Sequence, residues 1–103
     1  MNAVKDQVSV LVDRELFFAN QKHPAFNSQH EGAAVICEEL EEAQDAIDAA
    51  AGVYSALWEK VKHDEGADKL AEILRVKAEE AACECIQLAA MAQKMVNRME
   101  VSK

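Results

Sequence analysis

The chain has 103 residues, of which 50% are hydrophobic, and its formal net charge is -8. A chain of this length predicts one domain, residues 1–103. A surface this acidic repels a phosphate backbone, which excludes binding of nucleic acid through a basic face. Nucleotide binding stays open, because carboxylates can hold a divalent cation that bridges to phosphate.

The N-terminal region and the cysteines indicate a cytoplasmic protein. Charged side chains interrupt residues 1–20, so they do not form a signal peptide, and no apolar run approaches the roughly 20 residues of a membrane span. Cys37, Cys83 and Cys85 are odd in number and lack the spacing of a disulfide framework or a zinc site. We expect them to be small buried thiols in a reducing compartment.

The scarcity of helix breakers predicts an all-α fold. Gly occurs three times and Pro once, and no apolar residues alternate with polar ones as they would in a strand. The first predicted helix runs from about Ala3 to Gln21 and ends before Pro24, because proline forces its predecessor out of the helical region. The residues expected along its apolar side are Val4, Val8, Leu11, Val12 and Phe18.

The second predicted helix begins at a capping box. Ser28 is followed three residues later by Glu31, so each side chain is expected to bond the other residue's backbone amide. The helix continues to a turn at residues 63–66, and Gly52 within it suggests a close approach of another helix. Its apolar seam, in steps of three and four, is Ile36, Leu40, Ala43, Ile47, Ala50, Tyr54, Leu57 and Val61.

The third predicted helix runs from about Ala67 to Met99, and a break near residues 76–79 is left open. At about 1.5 Å per residue, the second and third helices are each on the order of 50 Å long. The short first helix cannot cover both seams, so we expect a homo-oligomer, a dimer or a tetramer, that completes a four-helix-type bundle of antiparallel helices. The third seam is Leu70, Leu74, Ala78, Ala81, Cys85, Leu88, Ala92, Met95 and Met99.

A run of glutamates on the second helix carries the first chemical signal. In Glu38-Glu39-Leu40-Glu41-Glu42, the side chains of Glu39 and Glu42 are one turn apart on one flank of the seam. Two carboxylates in this relation can bind one hard cation such as Mg²⁺. The alternative is a solvated acidic face, because such runs are common in long helices.

The third helix offers a matching pair of oxygen ligands. Glu84 and Gln87 again stand three residues apart beside the seam, and antiparallel packing of the two helices would bring them opposite Glu39 and Glu42. These four side chains form the predicted metal site. Further along the helix, Lys94 and Arg98 could reach a polyphosphate on the metal; the alternative for both is ordinary charge near a helix C-terminus.

These motifs resemble the MazG-like all-α nucleoside triphosphate pyrophosphohydrolases over about residues 24–95. The family signature is EExxE on one helix and ExxD on the next; residues 38–42 match the first motif, and Glu84 to Gln87 reads ExxQ in place of the second. The segment from His23 to Gly32 and the small-residue run after Gln87 are similar to small MazG-like proteins of phage and prophage genomes.

The resemblance implies a hydrolase that converts a nucleoside triphosphate and water into a nucleoside monophosphate and pyrophosphate. It implies Mg²⁺, or Mn²⁺, held by Glu39, Glu42 and Glu84, with Glu38 as a further ligand or as the residue that orients the attacking water. Gln87 supplies no charge, so a second ion becomes doubtful and weakened activity is expected. The alternatives are a non-catalytic helical module for partner binding and a structural coiled coil.

Overall fold

The computed structural model describes residues 2–101, with side chains from residue 4 to residue 98. It contains three helices: α1 (Asn2–Lys22), α2 (Gln29–Lys62) and α3 (Asp68–Val101). The all-α prediction is confirmed, and α3 runs unbroken through residues 76–79. Among the described helices, none has both the length and the apolar character needed to cross a bilayer.

The N-terminal cap of α2 forms as half of the predicted capping box. Ser28 has extended backbone angles, and its Oγ accepts a hydrogen bond of 3.1 Å from the backbone N–H of Glu31. The Glu31 carboxylate does not reach back to Ser28; it accepts instead from Nδ2 of Asn27 at 3.0 Å. The cap therefore also orders the last residue of the preceding loop.

Helices α2 and α3 form an antiparallel hairpin around a tight turn. The backbone N–H of His63 donates to the carbonyl of Lys60 and that of Asp64 to the carbonyl of Val61. Asp64 adopts the left-handed conformation, with φ 54°. Aspartate tolerates this conformation better than most residues. The hairpin makes the molecule elongated, with principal extents of 61 × 29 × 22 Å.

The predicted seam of α2 divides into two rows, and only one of them faces α3. The seam combined two series in which the residues are seven apart, and a single neighbouring helix covers about one such series. The row that is buried or half-buried is Ile36, Ala43, Ala50 and Leu57. The row that remains exposed is Leu40, Ile47, Tyr54 and Val61.

The seam of α3 divides in the same way. The residues of its covered row are buried or half-buried, whereas its exposed row contains small side chains only. The side chain of Met99 lies outside the described residues. The covered row is Leu70, Leu74, Ala81, Leu88 and Met95, and the exposed row is Ala78, Cys85 and Ala92.

Helix α1 packs against α3 and makes no comparable contact with α2 over the described residues. Leu16, which the sequence pattern did not single out, is its buried apolar side chain. Most of the predicted apolar side of α1 is left uncovered, because Val4, Val8, Leu11 and Phe18 are exposed. A helix that packs against one neighbour buries only a narrow part of its apolar surface.

The loop between α1 and α2 is tied to the last turns of α3. Lys94 donates to the backbone carbonyl of His23 and lies over the buried Phe26 ring, 4.8 Å from its centroid. Arg98 donates to the carbonyl of Phe26 at 3.1 Å. Gly32 allows a close approach beside this loop, because a Cβ there would lie 2.5 Å from Sδ of Met95 and 3.0 Å from Cδ2 of Phe26.

Two sequence expectations about small residues are corrected. A Cβ at Gly52 would meet nothing within 4 Å, so no neighbouring helix of the same chain approaches it. Cys37, Cys83 and Cys85 are free but exposed, not buried, because they lie off the contact between the helices. The Sγ of Cys37 donates to Oε1 of Glu41 at 3.6 Å, and this hydrogen bond to a carboxylate raises the pKa of the thiol.

Replacement of the α2 cap should weaken the fold. We expect Ser28→Ala to lower the free energy of unfolding by about 1 kcal/mol, since one backbone N–H loses its partner. Thermal unfolding should show a Tm about 4–8 °C lower. The control is Ser55→Ala, because the Oγ of Ser55 bonds only the carbonyl of Ala51 inside the helix, which contributes no cap. Equal Tm values for the two variants would contradict the role given to Ser28.

Candidate metal centre

Three glutamates from two helices converge at the middle of the hairpin. Glu39 and Glu42 are one turn apart on α2, and Glu84 lies opposite them on α3. One carboxylate oxygen from each residue lies within 4.8 Å of the other two. These residues are called the carboxylate cluster below. The structure thus brings together three of the four predicted metal ligands.

The antiparallel register of α2 and α3 brings the cluster together. Next to it, Leu40 and Ala43 share a surface groove with Cys85 and Leu88, so the same stretches of the two helices are in contact. Glu39 is in the turn before Ala43, which is buried at this contact. Its side chain therefore leaves α2 at the edge of the apolar seam and points toward α3.

Two oxygens of the cluster lack hydrogen-bond partners although they are buried. These atoms are Oε2 of Glu39 and Oε2 of Glu84. A buried carboxylate oxygen without a partner is unfavourable, and a cation is one group that removes this cost. The geometry therefore fits a hard divalent ion, which prefers oxygen ligands and accepts few carboxylates together with water and phosphate.

The electrostatics of Glu39 agree with this crowding. Its partial burial raises the pKa of the carboxyl, and the negative charges of Glu42, Glu84, Glu15 and Glu38 raise it further. The shift means that a negative charge at this position is disfavoured without a counter-ion. A bound cation would reverse the effect, because it stabilises the ionised carboxylate.

Glu38 and Gln87 lie beside the cluster. Glu38 is exposed and precedes Glu39 on α2, so its catalytic role stays a prediction. Gln87 is one turn beyond Glu84 on α3 and lines a recess of about 360 Å³ against α1, together with Leu11 and Glu15. Its assignment as a metal ligand likewise stays a prediction.

Lys94 lies away from the cluster, at the loop end of the molecule. It follows Glu84 by ten residues, or about 15 Å along the helix. Its side chain, 5% exposed, donates to the carbonyl of His23 and lies over the Phe26 ring. Arg98 likewise donates to loop carbonyls, those of Phe26 and Asn27. The phosphate contact predicted for Lys94 therefore gains no support from its position.

Glu15 is a member of this environment that the sequence did not reveal. It lies on α1, half-buried, and its charge contributes to the raised pKa of Glu39. No local motif marks this residue, because its relation to the cluster depends on how α1 crosses α3. The adjacent Leu16, which is buried, was not singled out by the sequence pattern either.

The cluster places three carboxylates from two helices where their oxygens could share one ligand. In comparisons with protein-family models, with curated proteins and with solved structures, no match to this chain was found. The resemblance to MazG-like proteins therefore rests on the motif residues alone.

The raised pKa of Glu39 predicts how the stability of the metal-free protein depends on pH. The folded state holds the Glu39 proton more tightly than the unfolded chain, so this contribution is complete at low pH. It is lost as the pH rises from the ordinary carboxyl range through the raised pKa. The free energy of unfolding should therefore decrease between pH 4 and pH 7, and it should decrease less in Glu39→Gln. Chemical denaturation of both proteins across this pH range measures the difference.

Glu39→Gln also tests whether a cation binds at the cluster. At ten times the dissociation constant, Mg²⁺ should stabilise the unmodified protein by about 1.4 kcal/mol. Glu39→Gln should lose most of that gain, whereas Glu41→Gln, an exposed neighbour outside the cluster, should keep it. Equal stabilisation of all three proteins by Mg²⁺ would show that the ion binds elsewhere.

Proposed function

We propose that the protein is a Mg²⁺-dependent nucleoside triphosphate pyrophosphohydrolase. In the proposed reaction, water attacks the α-phosphorus, and the bond between that phosphorus and the oxygen that bridges it to the β-phosphorus breaks. The products are a nucleoside monophosphate and pyrophosphate. The observation that carries the proposal is the convergence of Glu39, Glu42 and Glu84, with two buried oxygens that lack partners. The match of residues 38–42 to EExxE is the second support.

The cluster and the neighbouring Glu38 have defined tasks in this proposal. Glu39, Glu42 and Glu84 would hold Mg²⁺, or Mn²⁺ in its place. The bound ion would neutralise phosphate charge and lower the pKa of a coordinated water. Glu38 would accept a hydrogen bond from the attacking water and orient it toward the phosphorus. A chain of net charge -8 repels a triphosphate unless a cation mediates the contact.

The amide at Gln87 sets the expected strength of the activity. A carboxylate there would add a fourth negative charge beside the cluster, whereas an amide oxygen can only coordinate weakly. The proposal is therefore of an enzyme that holds one ion, more weakly than an ExxD sequence would, and that works at a lower rate.

The proposed setting is the cytoplasm, with a nucleoside triphosphate as substrate and a homo-oligomer, a dimer or a tetramer, as the active form. The resemblance to small phage and prophage MazG-like proteins is part of the same proposal. The large apolar surface that α2 leaves exposed supports self-association.

A second candidate is a non-catalytic helical module that binds a partner. The observation in its favour is the use of Lys94 and Arg98, which hold carbonyls of the α1–α2 loop. The positive groups predicted to contact a polyphosphate thus serve the fold. Pyrophosphate release decides between the two candidates.

Pyrophosphate release should depend on Glu42. With a panel of nucleoside triphosphates and Mg²⁺, we expect Glu42→Ala to reduce kcat/KM at least about a hundredfold, which corresponds to about 2.7 kcal/mol of transition-state stabilisation. Glu41→Ala is the matched control, because Glu41 is adjacent in sequence but outside the cluster. Its rate should stay close to that of the unmodified protein.

Gln87→Asp tests the departure from the family pattern. If the amide limits ion binding, the aspartate should increase pyrophosphate release and tighten Mg²⁺ binding. Absence of release with every nucleotide, in the unmodified protein and in Gln87→Asp alike, would favour the non-catalytic module.

A further inference from the structure

Helix α1 carries a carboxylate that the fold itself does not use. Glu15 is half-buried at the edge of the contact between α1 and α3, next to the buried Leu16. Among the residues that the structure describes, no hydrogen bond or ion pair holds this carboxylate. Arg14 lines the same recess as Glu15 but forms no ion pair with it. The Glu15 carboxylate is therefore available to a ligand.

Glu15 lies against the part of α3 that contributes to the carboxylate cluster. Together with Gln87 of α3, it lines the recess of about 360 Å³ between α1 and α3. Gln87 is one helical turn from Glu84, which belongs to the cluster. The charge of Glu15 is also close enough to Glu39 to raise the pKa of that carboxyl. Helix α1 thus brings a fourth negative group to the cluster, on the side where α3 offers only an amide.

The position of Glu15 suits a contact through water better than a direct bond to a cation. It is not a member of the set of carboxylates whose oxygens lie within 4.8 Å of one another. Two oxygens bound to one Mg²⁺ at ~2.1 Å are at most about 4.2 Å apart, so a carboxylate farther out reaches the ion through a coordinated water. Mg²⁺ keeps several waters when few carboxylates hold it. A carboxylate that accepts a hydrogen bond from such a water orients it and favours binding of the ion.

We propose that Glu15 is a positioning residue of the metal centre, whose carboxylate accepts a hydrogen bond from a water on the cation held by the carboxylate cluster. It partly offsets the negative charge that the amide of Gln87 does not supply. Residue 15 lies outside the part of the chain that resembles the MazG-like family, so the resemblance assigns it no role. The inference rests on the proposed metal centre, but it does not depend on which nucleotide is hydrolysed.

The affinity for Mg²⁺, measured without any nucleotide, tests this role. In calorimetric titrations, we expect Glu15→Gln to weaken Mg²⁺ binding about tenfold, as loss of an outer partner of a metal site does. Asp13→Asn is the matched control, because it removes the same charge from an exposed position two residues away on α1, and its affinity should stay unchanged. Unchanged affinity in Glu15→Gln would overturn the proposal. Equal weakening in both variants would also overturn it, since net charge alone would then explain the effect.

The metal-free proteins separate this role from a structural one. Without Mg²⁺, Glu15→Gln should have a Tm equal to or above that of the unmodified protein, because one like charge near Glu39 is removed. The rise in Tm on addition of Mg²⁺ should nevertheless be smaller in the variant. A lower Tm of metal-free Glu15→Gln would show that Glu15 supports the fold, and it would overturn the proposal.

The double variant Glu15→Gln/Gln87→Asp tests whether the two positions share one task. If Glu15 offsets the charge that residue 87 lacks, a carboxylate on α3 makes it less necessary. The tenfold loss expected for Glu15→Gln should then shrink to about threefold or less when Gln87→Asp is already present. A full tenfold loss in that background would contradict the offset.

The same titrations separate failure of this inference from failure of the proposed function. If Mg²⁺ does not bind, or binds Glu39→Gln as tightly as the unmodified protein, the metal centre and the role of Glu15 both fail. If Glu39→Gln loses binding and Glu15→Gln keeps it, only the role of Glu15 fails. If both variants bind Mg²⁺ more weakly and no nucleotide releases pyrophosphate, the role of Glu15 holds and the hydrolase activity fails.

Discussion

The antiparallel register of α2 on α3 is the constraint on which the rest of the structure depends. It is set by a row of small and medium apolar side chains, with Ala43 and Ala81 buried where the helices meet. A slip of one residue along either helix would rotate its side chains by about 100° relative to the partner. Glu84 would then no longer face Glu39 and Glu42, so the apolar packing that stabilises the hairpin also positions the only convergent acidic group among the described residues.

Charge is distributed along the hairpin in a way that opposes folding in one place and supports it in another. At the middle, burial and neighbouring carboxylates disfavour the ionised form of Glu39. At the loop end, Lys94 and Arg98 satisfy the carbonyls of a loop that has no regular secondary structure. The first arrangement costs stability unless a cation or a proton is present, which is typical of sites that bind ligands. The contacts of Lys94 and Arg98 with the loop stabilise the fold whether or not a cation is bound.

Several predictions from the sequence were right because they depend on neighbours along the chain. The proline at position 24 and the cap at Ser28 define helix boundaries within one or two residues, and these signals act locally. The buried side of each helix was predicted less well. Periodicity identified both apolar rows of α2 as one seam, and only the position of α3 decides that Ala43 is buried and Ile47 is exposed.

The sequence by itself determined an all-α chain of long helices and a pair of glutamates one turn apart, since propensity, capping and the helical repeat are local properties. The sequence also predicted that Glu84 would lie opposite that pair, on the assumption of antiparallel packing, and the tertiary structure shows this arrangement. Only the tertiary structure decided that Glu15 adds its charge and that Lys94 serves the loop. These facts depend on the angle and register between helices. The free energy of helix packing comes from many weak contacts spread over each surface, and no short motif encodes their sum.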